Sequence, residues 1–236
     1  MYKNTDNEMR IRMRKIHKKS FKIKEIIEEH LRENLKYYMI VSIIMLIGIV
    51  LGVIFSAINK NGYGIASSIV YGITLILLYT MSSIYHGLNP KLKAKKVFQI
   101  IDHCSIFLLI AGTYTPFALC TLREYSPAVG WTIFGIVWGM AAIGITLNAI
   151  DLKKFKVFSM ICYLCMGWCI IVKIGVVFKQ LGTTGFALLL SGGIVYTVGA
   201  IFYGLGKKKK WMHSIFHLAC VVGSLLQLIC ILLYVV

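Results

Sequence analysis

The chain has 236 residues, 58% of them apolar and 15% charged, with three prolines; a typical soluble domain carries about 25% charge, so the composition excludes both a disordered polymer and an ordinary water-soluble fold. Lys and Arg number 26 against nine Asp and Glu, a formal charge of +17, which suits either nucleic acid or an anionic lipid surface. The seven cysteines are odd in number and lie inside apolar runs, which argues against a disulfide framework and reads as small core residues.

The first 36 residues form a basic segment. Eleven Lys and Arg lie between Lys3 and Lys36, and Ile23, Ile26, Ile27, Leu31 and Leu35 recur at helical spacing, which predicts an amphipathic helix lying on anionic headgroups and accounts for the charge without nucleic acid. Residues 1–20 read equally well as a solvated tail. Seven apolar runs follow, at 37–58, 65–88, 98–122, 129–149, 157–178, 183–205 and 211–235. Each is about 20 residues long, enough to cross a hydrocarbon layer of about 30 Å. The connections are short, so neighbouring helices run antiparallel in a single seven-transmembrane-helix bundle over 37–236, an all-α membrane protein. The first run is of spanning length with no cleavage pattern behind it, and is read as an anchor and not a signal peptide.

Basic residues set the orientation. With the N-terminus in the cytoplasm, twenty-two of them fall inside: the tail, Lys91 to Lys96, Lys153 to Lys156 and Lys207 to Lys210. Only Lys60, Arg123 and Lys179 fall outside, with Lys173 within the fifth run. The positive-inside rule then predicts an inner N-terminus and an outer C-terminus, in what we expect to be the cell membrane.

Ionisable groups inside spans are costly and point to function. Here they are His86, Asp102, His103, Lys173, His213 and His217. In the expected topology His86 ends the second span, Asp102 begins the third, and His213 and His217 lie in the first turns of the seventh, so three helices bring them to one cytoplasmic layer. His213 and His217, four residues apart, share one helical face. With His86 they make three imidazoles, the donor set of a catalytic zinc with an open fourth position and a water of pKa about 7. Asp102 would take a proton or orient the water, and Ser82, one turn deeper than His86, would place a carbonyl. Taken singly, a histidine at a span end bonds water or headgroups, Asp102 caps a helix, and Ser82 bonds its own helix; taken together, they favour the metal site.

The remaining features read as structural. Cys162, Cys165 and Cys169 pack in mid-membrane; His103 points about 100° away from Asp102 and bonds a headgroup or an inner-loop group; Lys173 snorkels to the outer surface. Gly48/Gly52 and Gly135/Gly139 allow close helix approach. Pro116 bends the third helix by removing a backbone bond to Gly112 and so opens a cavity above Asp102.

Three stretches, Ser82-Ser-Ile-Tyr-His86-Gly, Asp102 through Phe117, and His213-Ser-Ile-Phe-His217, resemble the hemolysin III family within the progestin and adipoQ receptor group, which includes the adiponectin receptors. The resemblance implies zinc on His86, His213 and His217, a water bridging to Asp102, and an N-in, C-out topology. Related receptors are associated with ceramide hydrolysis, and bacterial members with cytolysis. The expectation is therefore a zinc-dependent hydrolase of a lipid amide or ester drawn from the bilayer, with membrane lipids as partners. The alternatives are a membrane-permeabilising protein whose metal only ties helices together, and a signalling protein without chemistry of its own.

Overall fold

The structure, a computed structural model, describes residue 43 and residues 46–89, 91–205 and 210–236, with side chains for all of these except 205 and 210–214. The basic tail and its expected interfacial helix lie outside the described residues, as does the start of the first apolar run.

The described part of that run is α1, Leu46–Ile58. A turn carrying Lys60 at φ 52° leads to α2, Gly62–Gly87, whose first turn is capped by the Asn61 side chain accepting from the Gly64 amide. At the far end of α2, Lys95 Nζ donates to the carbonyls of Tyr85 and Leu88 at 2.9 and 2.8 Å, satisfying acceptors that the helix terminus leaves open. The third helix, α3, runs Ala94–Tyr125. Ser126 breaks it, and Pro127 starts α4, Pro127–Asp151, where its missing N–H costs nothing. Asp151 Oδ1 then accepts from the amides of Lys153 and Lys154 and turns the chain.

The next helical run, Lys156–Gly204, has 49 residues, about 74 Å if straight and more than twice the thickness of a hydrocarbon layer. It is not straight. At Gly182 the backbone takes φ 66° and ψ −178°, a conformation only glycine adopts easily. Trp168 Nε1 donates to Thr197 Oγ1 at 3.1 Å, and the rings of Phe178 and Phe186 stand 5.2 Å apart. A continuous helix would hold the first pair about 43 Å apart, so the run is a hairpin of two antiparallel helices, α5 (156–181) and α6 (183–205). The last helix, α7, is Lys210–Tyr234. Its C-terminal Val236 carbonyl accepts from Asn59 Nδ2 at 3.2 Å, which puts the chain end beside the α1–α2 turn.

Packing follows small residues. A Cβ on Gly112 would collide with Thr74 of α2, and one on Gly144 with the Phe107 ring, so α3 lies close between α2 and α4. Gly48 packs on Leu228, and Gly52 on Ser68 and Leu232, joining α1 to α7 and α2 as its glycine spacing predicts. The second glycine pair behaves otherwise: a Cβ on Gly135 or Gly139 would meet nothing within 4 Å, because both lie on the exposed face of α4. The centre of the bundle is α3, with Phe107, Ala111, Phe117 and Leu122 buried, whereas Ile73, Ile143, Ile150, Val157 and Val172 lie exposed around the outside. An apolar exterior of this extent is expected where lipid is the solvent. The cysteines are all free thiols; Cys120 and Cys230 are buried as expected, but Cys165 of the 162–169 group faces outward.

After Pro116 the helix widens into a π-turn over Phe117–Leu122, all of it buried. Neither Pro116 nor any π-turn residue lines the cavity between α2, α3, α5, α6 and α7, whose α3 wall ends at Thr113 and Tyr114, just before the proline.

Candidate functional site

At the end of the bundle away from Asn59 and Val236, the last turns of α2 meet the first turns of α3 and α7. His86 and His217 face each other there, with Nε2 atoms 3.1 Å apart and rings edge-on at 4.8 Å between centroids. Two nitrogens each 2.0–2.1 Å from one tetrahedral zinc would stand about 3.3 Å apart, so the pair fits a shared metal to within a few tenths of an ångström. The backbone of His213 lies in α7 one turn before His217; its side chain lies outside the described residues. Among the described side chains no set of three His, Cys, Asp or Glu converges.

Asp102 on α3 and Ser82 on α2 are both buried. Ser82, Asp102 and His217 line one cavity. His103 is placed elsewhere than at headgroups or an inner loop. Its Nδ1 bonds the Gln99 carbonyl at 2.8 Å and its Nε2 the Tyr203 hydroxyl at 3.0 Å, so Nδ1 carries the proton and Nε2 accepts from Tyr203. Both nitrogens are used, which leaves no lone pair for a metal. Nδ1 also stands 3.8 Å from Asp102 Oδ2. Lys173 ends a 3₁₀ stretch, Cys169–Lys173, in the middle of α5, and is half-buried.

The cavity has a volume of about 160 Å³ and lies between α2, α3, α5, α6 and α7. It reaches from His217 to Gln227, ten residues along α7 or about 15 Å. Leu78, Ile106, Leu109, Ile110 and Leu164 supply its apolar middle. Its walls are tied by tyrosines: the hydroxyls of Tyr79 and Tyr196 both meet Ser224 Oγ, at 2.9 and 2.6 Å, and Tyr163 donates to the His103 carbonyl at 2.8 Å. A search for ionisable groups in the spans passes over these neutral residues. Their sequence signal is a set of hydroxyl and amide side chains deep in apolar runs, with Tyr71 and Tyr79 on one face of α2 and Ser224 and Gln227 on one face of α7.

Helices of this length and exterior, closed around a buried acid and a pair of facing imidazoles, define a multi-pass integral membrane protein. The haemolysin-III related family profile matches residues 32–228, and the chain belongs to the hemolysin III family. It is 43% identical to Hemolysin-3 of Bacillus cereus over 186 residues, 77% of this chain and 83% of that one. To the Hemolysin-3 homolog of Bacillus subtilis strain 168 it is 39% identical over 183 residues, 78% and 84% of the two chains. A more distant likeness, 29% over 156 residues, covers 63% of this chain and 62% of the human monocyte to macrophage differentiation factor. No solved structure matches.

Proposed function

We propose that this protein is a metal-dependent hydrolase of a lipid amide or ester, built as a seven-span bundle with an inner N-terminus and an outer C-terminus. His86, His213 and His217 would hold a zinc ion near the cytoplasmic face; when bound, the ion supplies Lewis acidity toward a carbonyl and a water. The observation that carries the reading is that His217, whose ring faces His86, lines one cavity together with Asp102 and Ser82. In that position Asp102 accepts a proton from the attacking water, and Ser82 donates to the carboxylate or to the substrate carbonyl. The apolar slot beyond them holds a hydrocarbon chain and excludes bulk water. His103, held by Gln99 and Tyr203, supports the Asp102 side of the site as a positioning residue.

The test is product release from defined lipid amides and esters by purified protein. Activity that disappears with a chelator and in Asp102→Ala supports the proposal; hydrolysis that survives both treatments overturns it. Orientation is read separately, from a C-terminal reporter that is active only outside the cytoplasm. The alternation of basic loops favours an active reporter.

A second reading rests on the names of the relatives, which are hemolysins: a membrane-permeabilising protein with a structural metal. A water-filled pore needs polar lining along its depth, whereas here the acid and the imidazoles crowd one end of an apolar cavity. Dye leakage from liposomes that is unchanged in Asp102→Ala would favour this reading, and no leakage at any protein density would remove it.

A further inference from the structure

Arg123 stands in the last turn of α3, at the end of the bundle that holds the α1–α2 turn. The π-turn ends on it: its backbone N–H reaches the Ala118 carbonyl, five residues back, and its side-chain Nε donates to the Leu119 carbonyl at 2.8 Å. The guanidinium lies over the Tyr63 ring of α2, 3.7 Å from the centroid. The first turn of α4 closes on the base of the side chain, since a Cβ on Gly130 would come within 2.7 Å of Arg123 Cα and Cβ. A cation at a helix C-terminus is favourable, which accounts for the charge and for Nε but leaves the two amino groups open. Among the described residues, Nε is the one Arg123 side-chain nitrogen with a hydrogen-bond acceptor. Nor does the protein neutralise the charge. Beyond residue 36 the acids are Asp102, Glu124 and Asp151. Asp102 is about 30 Å away along α3, and Asp151 ends α4 on the far side. Glu124, the next residue, forms no ion pair with Arg123 among the described residues. Arg123 is half-buried, at a level marked by exposed rings: Tyr63 and Trp131 are 39% and 48% exposed, with centroids 6.4 Å apart, the placement of an interfacial aromatic belt.

We infer that Arg123 is an anchoring site for the phosphodiester of a membrane glycerophospholipid, in the leaflet at this end of the bundle. A guanidinium presents paired N–H donors that match two oxygens of a phosphate, and one already held by Tyr63 and Leu119 loses little freedom on binding. A phospholipid supplies its anion at the level where the aromatic rings place the arginine, with its chains against the apolar exterior. The inference does not rest on the metal site or on hydrolysis, which belong to the other end of the bundle.

The test is native mass spectrometry of full-length, delipidated protein in detergent, titrated with dioleoyl phosphatidylglycerol or with dioleoylglycerol, which has the same chains and no phosphate. Wild-type protein should hold one phosphatidylglycerol about tenfold more tightly than Arg123→Gln does, and the two proteins should take up dioleoylglycerol equally. The basic N-terminal segment is the same in every variant, so its lipid uptake cancels in the comparison. Arg123→Lys, which keeps the charge but loses the fork, should recover only part of the affinity. Tyr63→Leu, which removes the stack and leaves the arginine, should also weaken binding and serves if Arg123→Gln does not fold. Lys60→Gln removes an exposed charge from the same end of the bundle and should bind as the wild type does. Equal phosphatidylglycerol affinity in wild type and Arg123→Gln overturns the inference. So does an equal loss in Lys60→Gln, which would make the effect one of surface charge. Displacement of the bound lipid by inorganic phosphate at equal concentration would assign the fork to a soluble anion and overturn the lipid as its ligand.

Discussion

His86 Nε2 and His217 Nε2 stand 3.1 Å apart, on two helices and at positions 131 residues apart in the chain. Either one nitrogen donates to the other, or both present lone pairs to one cation, and the spacing suits the second arrangement to within a few tenths of an ångström. Metal content decides between them. About one zinc per chain is expected in detergent-purified protein, lost in both His86→Ala and His217→Ala. Because the ligands come from different helices, chelation should also lower unfolding stability, by about 2.7 kcal/mol where the metal was present at a hundredfold its Kd. Wild-type protein that binds no metal even with zinc added, and melts identically with and without chelator, would reduce the pair to an ordinary hydrogen bond.

Asp102→Asn separates chemistry from structure. The amide is nearly isosteric, so the fold and the metal content should persist, while the loss of a general base should lower turnover by about 10²- to 10⁴-fold. Ser82→Ala should cost less, because it changes a neighbouring wall of the cavity and leaves the carboxyl itself in place. Turnover unchanged in Asp102→Asn would exclude the acid from the reaction.

The contrast between what the sequence discloses and what it hides has a physical basis. Spans are legible because crossing hydrocarbon demands length and apolarity at once, so 183–205 begins one residue after the break at Gly182. Ser82, His86, Asp102, His213 and His217 stand out because ionisable and hydroxyl groups are expensive near lipid. What stays hidden depends on neighbours. Gly48 and Gly135 sit in the same Gly-x-x-x-Gly spacing, yet one meets Leu228 and the other meets nothing. His103 follows Asp102 directly, but only Tyr203, a hundred residues on, shows that both its nitrogens are taken.

Gly182 carries the α5–α6 hairpin. At φ 66° and ψ −178° a side chain is strained by about 1–3 kcal/mol, so Gly182→Ala should lower unfolding stability in mixed micelles by that amount. Gly175→Ala is the control. Gly175 is in the helical run before the break, and an added Cβ there meets nothing within 4 Å; helix propensity then predicts a gain of up to about 1 kcal/mol. Equal effects at the two sites would mean that the hairpin does not depend on the backbone at 182.

Tyr114 accounts for the irregular middle of α5. Its hydroxyl donates to the Gly167 carbonyl at 2.8 Å and accepts from the Ile170 amide at 3.0 Å, two groups that a regular helix would pair within its own ladder. A side chain inserted in this way interrupts the i to i−4 pattern, and the 3₁₀ stretch Cys169–Lys173 begins at this point. Removing the hydroxyl in Tyr114→Phe leaves a donor and an acceptor without it in a region with little water to replace it. The cost should be about 1–3 kcal/mol for each group that stays unpaired, or less if α5 recloses its own ladder. Hydrogen exchange at the Ile170 amide separates these outcomes: faster exchange with lower stability shows that the tyrosine holds the irregular turn open against lipid. Unchanged exchange and full stability would show that α5 becomes regular on its own, and that the 3₁₀ turn is imposed by Tyr114 and not by the sequence of α5.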